Sequence, residues 1–276
     1  MKILRIAFKQ ETAMPVLALT FASGVSVALV IARIAWTGQI RYSFLVWNLF
    51  LAWLPLIFAL LAREHYRKGT RTKVNSDEPT PGPTKEGSII GRAFATVPLL
   101  GRVRRGFRDR NWRFLGLTAA WLLFFPNAPY IFTDMIHLTT HFFAHFWVDL
   151  MLILLCALTG LVLGFVSLYL MQSVVVQMFG RVASWLFIAV VAGVSSFGVY
   201  LGRFVRVNSW DIVARPGKLY HGINAWASDP FAHATSFAFP ALFATFLFIT
   251  YLMLYALTHL PQAHQMAASF DRKAEA

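Results

Sequence analysis

The chain of 276 residues is strongly hydrophobic and basic. Hydrophobic residues make up 58% of it and charged residues only 13%, whereas soluble domains average about 25% charged residues. This composition excludes an ordinary soluble domain and predicts an all-α, polytopic bundle of transmembrane helices. The formal net charge of +13 does not indicate nucleic-acid binding, because the basic residues are concentrated between the apolar segments.

Six apolar segments approach the length of about 20 residues that a helix needs to cross a bilayer. They lie at 14–36, 42–62, 114–133, 146–170, 183–205 and 234–258. The first segment is too long for a signal-peptide core and lacks a small-residue cleavage site, so we expect a retained anchor. Charge counting also allows a five-span arrangement in which 114–133 only dips into the membrane. The absence of charged residues from 114–133 favours six spans.

The segment between the second and third spans carries most of the topological signal. Residues 63–113 hold 13 of the 25 Lys and Arg, which predicts a cytoplasmic loop under the positive-inside rule. Within it, 63–88 lacks apolar periodicity and contains three prolines, so we expect it to be mobile. The resulting topology is a bacterial inner-membrane protein with both termini in the cytoplasm. The predicted divisions are a two-span hairpin at 1–62, a basic and partly disordered linker at 63–113, a four-span block with the polar motifs at 114–258, and a tail at 259–276.

The third span contains the most unusual motif. Pro126-Asn127-Ala128-Pro129 interrupts an apolar segment, and Asp134 and His137 follow it. Proline lacks a backbone N–H and disfavours helix at the preceding residue, so this motif predicts a broken span. Breaks at membrane depth line a cavity or a site, because their backbone polar groups need partners.

The predicted topology brings other polar residues to the same outer end. Asn48 lies in the outer half of the second span, Asp149 at the start of the fourth, and Arg203 at the end of the fifth. An ionisable residue at this depth is costly unless it is paired, so Arg203 predicts a nearby carboxylate. The candidates are Asp134, which we expect first, Asp149 and Asp211.

A metal site is a further hypothesis. Five polar residues recur every three or four positions and would share one face of a continuous helix: Asp134, His137, His141, His145 and Asp149. Neighbouring pairs of such a stripe can bind a divalent ion with help from His221 or His233, but we prefer the interpretation as a polar interfacial face, where histidine is common. Cys156 is the single cysteine, which excludes an intrachain disulfide and a thiolate cluster. We therefore expect no cofactor, with a divalent metal as the alternative.

Two glycine pairs lie within the spans. Gly160 and Gly164 form one GxxxG spacing, and Gly198 and Gly202 form another. Small residues at this spacing let helices approach closely, so they predict helix packing.

Three separated segments together resemble a known family: Trp47-Asn48-Leu49-Phe50-Leu51-Ala52-Trp53-Leu54-Pro55, then Pro126-Asn127-Ala128-Pro129-Tyr130 with Asp134 and His137-Leu138, then Gly202-Arg203-Phe204-Val205-Arg206-Val207-Asn208-Ser209-Trp210-Asp211. They are similar to the uncharacterised bacterial membrane-protein family called domain of unknown function 1361, over about 42–255. The resemblance implies a multi-pass inner-membrane protein and adds no mechanism. It marks the residues on which a shared function would depend: Asn48, Asn127, Asp134, His137, Arg203, Asn208, Trp210 and Asp211.

Three functional hypotheses remain open at this point. The first is binding or transport of an anionic solute or lipid headgroup, held by Arg203 and by free backbone donors where a helix restarts after Pro129. The second is a membrane-embedded enzyme that acts on a lipid-linked or periplasmic substrate, with Asp134 and His137 as an acid/base pair or as metal ligands. The third is a purely structural role. Membrane lipids are the expected partners in all three, and nucleic acid is not.

Overall fold

The computed structural model describes residues 13–40, 42–76, 112–138, 145–206, 211–228 and 234–274. These residues are helical and include no strand, which confirms the all-α expectation. The α-helices are α1 (Ala13–Thr37), α2 (Ser43–Ser76), α3 (Trp112–Phe124), α4 (Asn127–Tyr130), α5 (Phe146–Phe179), α6 (Arg181–Tyr200), α7 (Asp211–Ala214), α8 (Pro216–Ser228) and α9 (Ala234–Ala274). A 3₁₀ helix, Ile131–Leu138, follows α4, and a π-helical segment, Leu201–Val205, follows α6.

Within the described ranges, six helical segments are long and apolar enough to cross a membrane. They are Ala13–Thr37, Ser43–Lys68, Trp112–Leu138, Phe146–Phe179, Arg181–Val205 and Ser236–Thr258. The chain is therefore a multi-pass membrane protein, and the six predicted spans are confirmed. The predicted break is confirmed as well, because α3 ends at Phe124 and a turn precedes α4.

The chain divides into two compact units, Met1–Phe187 and Ile188–Ala276, which we call unit 1 and unit 2. The boundary falls within α6. The four divisions expected from the sequence rest on composition and stay a prediction.

Helix α5 is the centre of unit 1. It is apolar on all sides, as a helix surrounded by others must be, and α1, α2 and the broken third span all pack against it. Two indole hydrogen bonds tie the helices together: Trp121 Nε1 donates to Ser167 Oγ at 3.2 Å, and Trp53 Nε1 donates to Ser23 Oγ at 3.1 Å. Cys156 is buried in this core beside Ser26.

Glycines with positive φ end two of the spans. Gly38 has a φ of 67° and its N–H donates to the carbonyl of Ile34, which caps α1. Gly180, with a φ of 92°, separates α5 from α6 and donates to the carbonyl of Val176. A residue with positive φ at a helix end is usually glycine, because a Cβ would clash with the adjoining backbone carbonyl.

Helix α2 is longer than the second span. It continues to Ser76, so residues 63–76, which we expected to lack regular structure, are helical. Charged residues can extend a helix into water, and Lys68 Nζ lies 3.5 Å from Glu64 Oε1, one helical turn earlier. Residues 77–111, which include the proline-rich part of the linker, lie outside the described residues.

Aromatic side chains join the helices of unit 2. Tyr200 stacks on Phe204 at 5.1 Å between ring centroids, and Phe204 meets Phe239 edge-on at 5.2 Å. The hydroxyl of Tyr200 also hydrogen-bonds to that of Ser236 at 3.0 Å. These contacts hold the end of the fifth span against the start of the sixth.

Candidate functional site

The break in the third span satisfies its own backbone groups. The N–H of Ala128 donates to the carbonyl of Phe125 and the N–H of Tyr130 to that of Pro126, both at 3.1 Å. Asn127 Nδ2 donates to the carbonyl of Phe124 at 3.0 Å. The backbone donors of Ala128 and Tyr130 are thus already used, which removes support for an anion held there. Asn127, a predicted ligand-binding residue, thus donates to the carbonyl of Phe124. In a continuous helix that carbonyl would accept from the N–H of Ala128, which here donates to Phe125 instead.

Two glycines of α5 allow the broken third span to pack closely against this helix. A Cβ on Gly160 would lie 2.7 Å from Ile131 Cδ1 and 2.9 Å from the carbonyl oxygen of Ala128. A Cβ on Gly164 would lie 3.0 Å from the Cβ of Ala128. This GxxxG spacing therefore packs α5 against the broken third span, close enough that a larger residue at 160 would displace it.

Two of the predicted residues, Asn48 and Asp134, meet between α2 and the 3₁₀ helix, and a third, His137, follows on the 3₁₀ helix. Asn48 Nδ2 donates to Asp134 Oδ2 at 2.9 Å, and Asp134 is only 1% exposed. His137 is exposed and its ring lies 5.0 Å from that of Phe44 on α2. Side chains three apart on a 3₁₀ helix eclipse one another, so His137 follows Asp134 on one side of this segment. We call Asn48, Asp134 and His137 the Asp134 site.

A second polar cluster lies between α1, the start of α2 and α5. Arg33 Nε donates to Asp149 Oδ1 at 2.6 Å and Arg33 Nη2 to Asp149 Oδ2 at 3.2 Å. The hydroxyl of Tyr42 donates to Asp149 Oδ2 at 2.9 Å, and all three residues are buried. The guanidinium of Arg33 also lies over the ring of Trp36, with 5.9 Å between Arg33 Cζ and the ring centroid. We call Arg33, Tyr42 and Asp149 the Arg33 cluster.

The Arg33 cluster was not predicted from the sequence, although a signal for it is present. Arg33 is the one Lys or Arg between residues 14 and 36, and a cation at membrane depth predicts a carboxylate partner as firmly as Arg203 does. Asp149, a candidate partner of Arg203, is bound by Arg33 on both of its oxygens.

The remaining predicted residues belong to the end of the fifth span and the segment after it. Arg203 lies in the π-helical segment, a form that is often found at functional sites. Asn208 and Trp210 lie outside the described residues. Asp211 is buried in the first turn of α7. Arg203 and Asp134 belong to different compact units, and their coupling stays a prediction.

The residues of the hypothetical metal-binding stripe do not share one regular α-helix over the part of the chain that the structure describes. Asp134 and His137 belong to the 3₁₀ helix that ends at Leu138, whereas Asp149 belongs to α5, which starts at Phe146. His145 precedes α5 and its ring contacts Trp36 at 5.2 Å between centroids. His141 and His233 lie outside the described residues, and the exposed His221 belongs to unit 2. Among the residues that the structure describes, no group of three or more His, Cys, Asp or Glu could hold a metal ion.

Comparison with known families gives one match. The sequence profile of the family described as "Protein of unknown function (DUF1361)" matches residues 93–263. The match covers more than half of the chain, which therefore belongs to this family. It includes the broken third span and the segment around Arg203, but it starts after Trp47–Pro55, the first of the three resembling segments. No curated protein and no solved structure matches the chain.

Proposed function

We propose that the protein binds a polar ligand, either a lipid headgroup or a small solute, at the Asp134 site. The observation that carries this proposal is the bond between Asn48 and Asp134, which joins the second span to the broken third span at a buried carboxylate. Ionisable residues within membrane spans are costly and mark ligand, ion or proton sites more often than packing.

The chemistry of the site suggests the part of the ligand that it contacts. Asp134 presents carboxylate oxygens, which accept hydrogen bonds and repel anions. The matching ligand group is therefore a hydroxyl or an amino group, which both lipid headgroups and many solutes carry. The anionic group expected from the sequence would need the cation of Arg203, whose contribution to binding stays a proposal. Transport of the ligand is an extension of the same proposal.

The cellular location belongs to this proposal as well. Six crossings place both termini on one side of the membrane, and the basic linker favours the cytoplasmic side of an inner membrane. We expect a reporter fused after Ala276 to be active as green fluorescent protein and inactive as periplasmic alkaline phosphatase. Alkaline phosphatase activity at that position would contradict the proposed topology.

Native mass spectrometry tests ligand binding directly. The protein is released from nanodiscs made with the lipids of its host membrane, and bound mass is compared between wild type and Asp134→Asn. We expect a retained lipid or solute in the wild type and a several-fold loss of it in the variant. Trp47→Ala is the matched control, because Trp47 precedes Asn48 on α2 but is exposed.

The two ligand sources give different results in this experiment. A lipid headgroup predicts bound masses that follow the lipid composition of the nanodisc, whereas a solute predicts a mass that is lost on dialysis and restored by cell extract. Equal retention by wild type, Asp134→Asn and Trp47→Ala would contradict binding at Asp134.

A membrane-embedded enzyme is the second candidate, and one observation favours it. Asp134 and His137 are three residues apart on a 3₁₀ helix, the spacing that aligns two side chains, with the acid buried and the imidazole exposed. Such a pair suits proton transfer, or metal binding with a further ligand. Lipid analysis of a host strain without the gene, complemented with His137→Gln, tests this role. An accumulated precursor that wild type clears and His137→Gln does not would support catalysis, and equal clearance would contradict it.

A further inference from the structure

Helix α8 of unit 2 is anchored to the ends of two membrane spans. Gly222 lies against the end of the fifth span, where a Cβ on it would be 2.9 Å from Val205 Cγ1. Trp226 Nε1 donates to the carbonyl of Ser236, at the start of the sixth span, at 3.1 Å. The end of one span and the start of the next lie on the same side of a membrane. Helix α8, with 13 residues, is therefore held at that membrane surface.

The side chains of α8 divide into three sectors around its axis, since successive residues are about 100° apart. Gly222 and Trp226 face the spans. Tyr220 and Ile223 are 67% and 39% exposed and share a second sector, because residues three apart are neighbours on a helix. A third sector contains His221 and Asn224, both exposed and polar.

Exposed aromatic side chains also lie at the ends of the two spans that anchor α8. Phe237 is exposed at the start of the sixth span, directly after the residue that binds Trp226, and Phe204 is exposed at the end of the fifth. The exposed cation Arg215 directly precedes α8, and such cations attract the phosphates of a membrane surface. A helix with an apolar side next to lipid and a polar side towards water lies in the plane of the bilayer interface.

We propose that α8 is an interfacial helix that binds the lipid leaflet at this membrane surface. Tyr220 and Ile223 enter the boundary between headgroups and acyl chains, while His221 and Asn224 remain in water. The partner surface is phospholipid. This inference does not depend on the ligand proposed for the Asp134 site, since it rests on residues of unit 2 alone.

Spin labels at neighbouring positions test the orientation of α8. With the buried Cys156 replaced by serine, single cysteines are placed by Ile223→Cys and Asn224→Cys, and the labelled proteins enter nanodiscs of phosphatidylethanolamine and phosphatidylglycerol. Accessibility to oxygen, which partitions into lipid, is divided by accessibility to a water-soluble nickel complex. We expect this ratio to be several-fold higher at 223 than at 224.

Tyr220→Cys and His221→Cys form a second pair with the same expectation, which separates orientation from any local disturbance at 223. Equal ratios within both pairs would overturn the proposal. So would labels at 220 and 223 that neither reagent reaches, because a protein surface rather than lipid would then cover the helix.

Discussion

Two carboxylates are buried among the described residues of unit 1, and their hydrogen-bond donors differ. Asp149 accepts hydrogen bonds from the Arg33 guanidinium on both of its oxygens and from the Tyr42 hydroxyl, so its charge is balanced within the protein. The contacts of Asp134 include a hydrogen bond from the neutral amide of Asn48. Burial alone therefore does not identify a functional acid. The donors differ: a guanidinium binds both oxygens of Asp149, whereas an amide binds Oδ2 of Asp134.

The same substitution at both positions tests this comparison with the largest expected effect. Asp149→Asn leaves the buried Arg33 without its counter-charge, which we expect to lower the free energy of unfolding by about 3–5 kcal/mol. Asp134→Asn keeps a similar shape and a hydrogen-bond partner for Asn48, so we expect a change below about 1 kcal/mol. Unfolding by sodium dodecyl sulfate in mixed micelles measures both.

The ion pair of the exposed Lys68 with Glu64 supplies the control for this experiment. Lys68→Ala removes the contact with Glu64 at the surface, and we expect a loss of no more than about 1 kcal/mol. A loss at Asp134→Asn as large as that at Asp149→Asn would contradict the comparison. It would instead support a cation partner for Asp134, as the predicted coupling with Arg203 requires.

Removing the amide of Asn48 tests the comparison of the two carboxylates from the donor of the hydrogen bond. Asn48→Ala deprives the buried Asp134 of a hydrogen bond to a charged group, and we expect a loss of about 1.5–3 kcal/mol. The double variant Asn48→Ala with Asp134→Asn should lose less than Asn48→Ala alone, because no ionised carboxylate then remains at that position. Equal losses in single and double variants would show that the bond contributes little.

The packing beneath the Asp134 site gives the third prediction. Gly160→Ala would place a Cβ 2.9 Å from the backbone carbonyl of Ala128, and overpacking of this kind costs about 1–3 kcal/mol. Gly116→Ala is the matched control, because no atom lies within 4 Å of its added Cβ. We expect that control to gain about 0.5–1 kcal/mol from reduced backbone freedom, and the thermal midpoints in detergent measure both. Equal thermal midpoints for Gly160→Ala and Gly116→Ala would contradict the close packing of the broken third span against α5.

The smallest effect is expected within the Arg33 cluster. Tyr42→Phe removes one of three donors to Asp149 while the guanidinium still contacts both carboxylate oxygens. We expect a loss of about 1 kcal/mol, near the typical net value of a hydrogen bond. A loss equal to that of Asp149→Asn would mean that the hydroxyl, and not the ion pair, holds the cluster together.

The sequence alone predicts the membrane architecture and the position of the break. Apolar length identifies a span without knowledge of its neighbours, and Pro126 and Pro129 remove backbone donors wherever they occur. The sequence also predicts that Asn48 and Asp134 lie near each other, since the topology places both residues at the same end of the bundle. What topology does not give is the helix rotation that decides which of several polar residues become partners.

Two of the hypotheses left open by the sequence lose support in the structure. The metal stripe assumes a regular helix from Asp134 to Asp149, whereas packing against Gly160 is accompanied by a tighter 3₁₀ winding of Ile131–Leu138. The free anion-binding donors assume an open break, whereas a turn lets Ala128 and Tyr130 donate to earlier carbonyls. The first depends on the winding of one short segment and the second on local turn geometry, and apolar periodicity encodes neither.

Cys156 makes the core of unit 1 a kinetic reporter. Its thiol is the chain's single cysteine and is buried in α5, so a membrane-permeant maleimide reaches it only when the helices separate. At low reagent concentration the labelling rate follows the equilibrium population of open bundles, and at high concentration it approaches the opening rate itself. The same thiol therefore reports how often, and how fast, the helices around the broken span part within an intact bilayer.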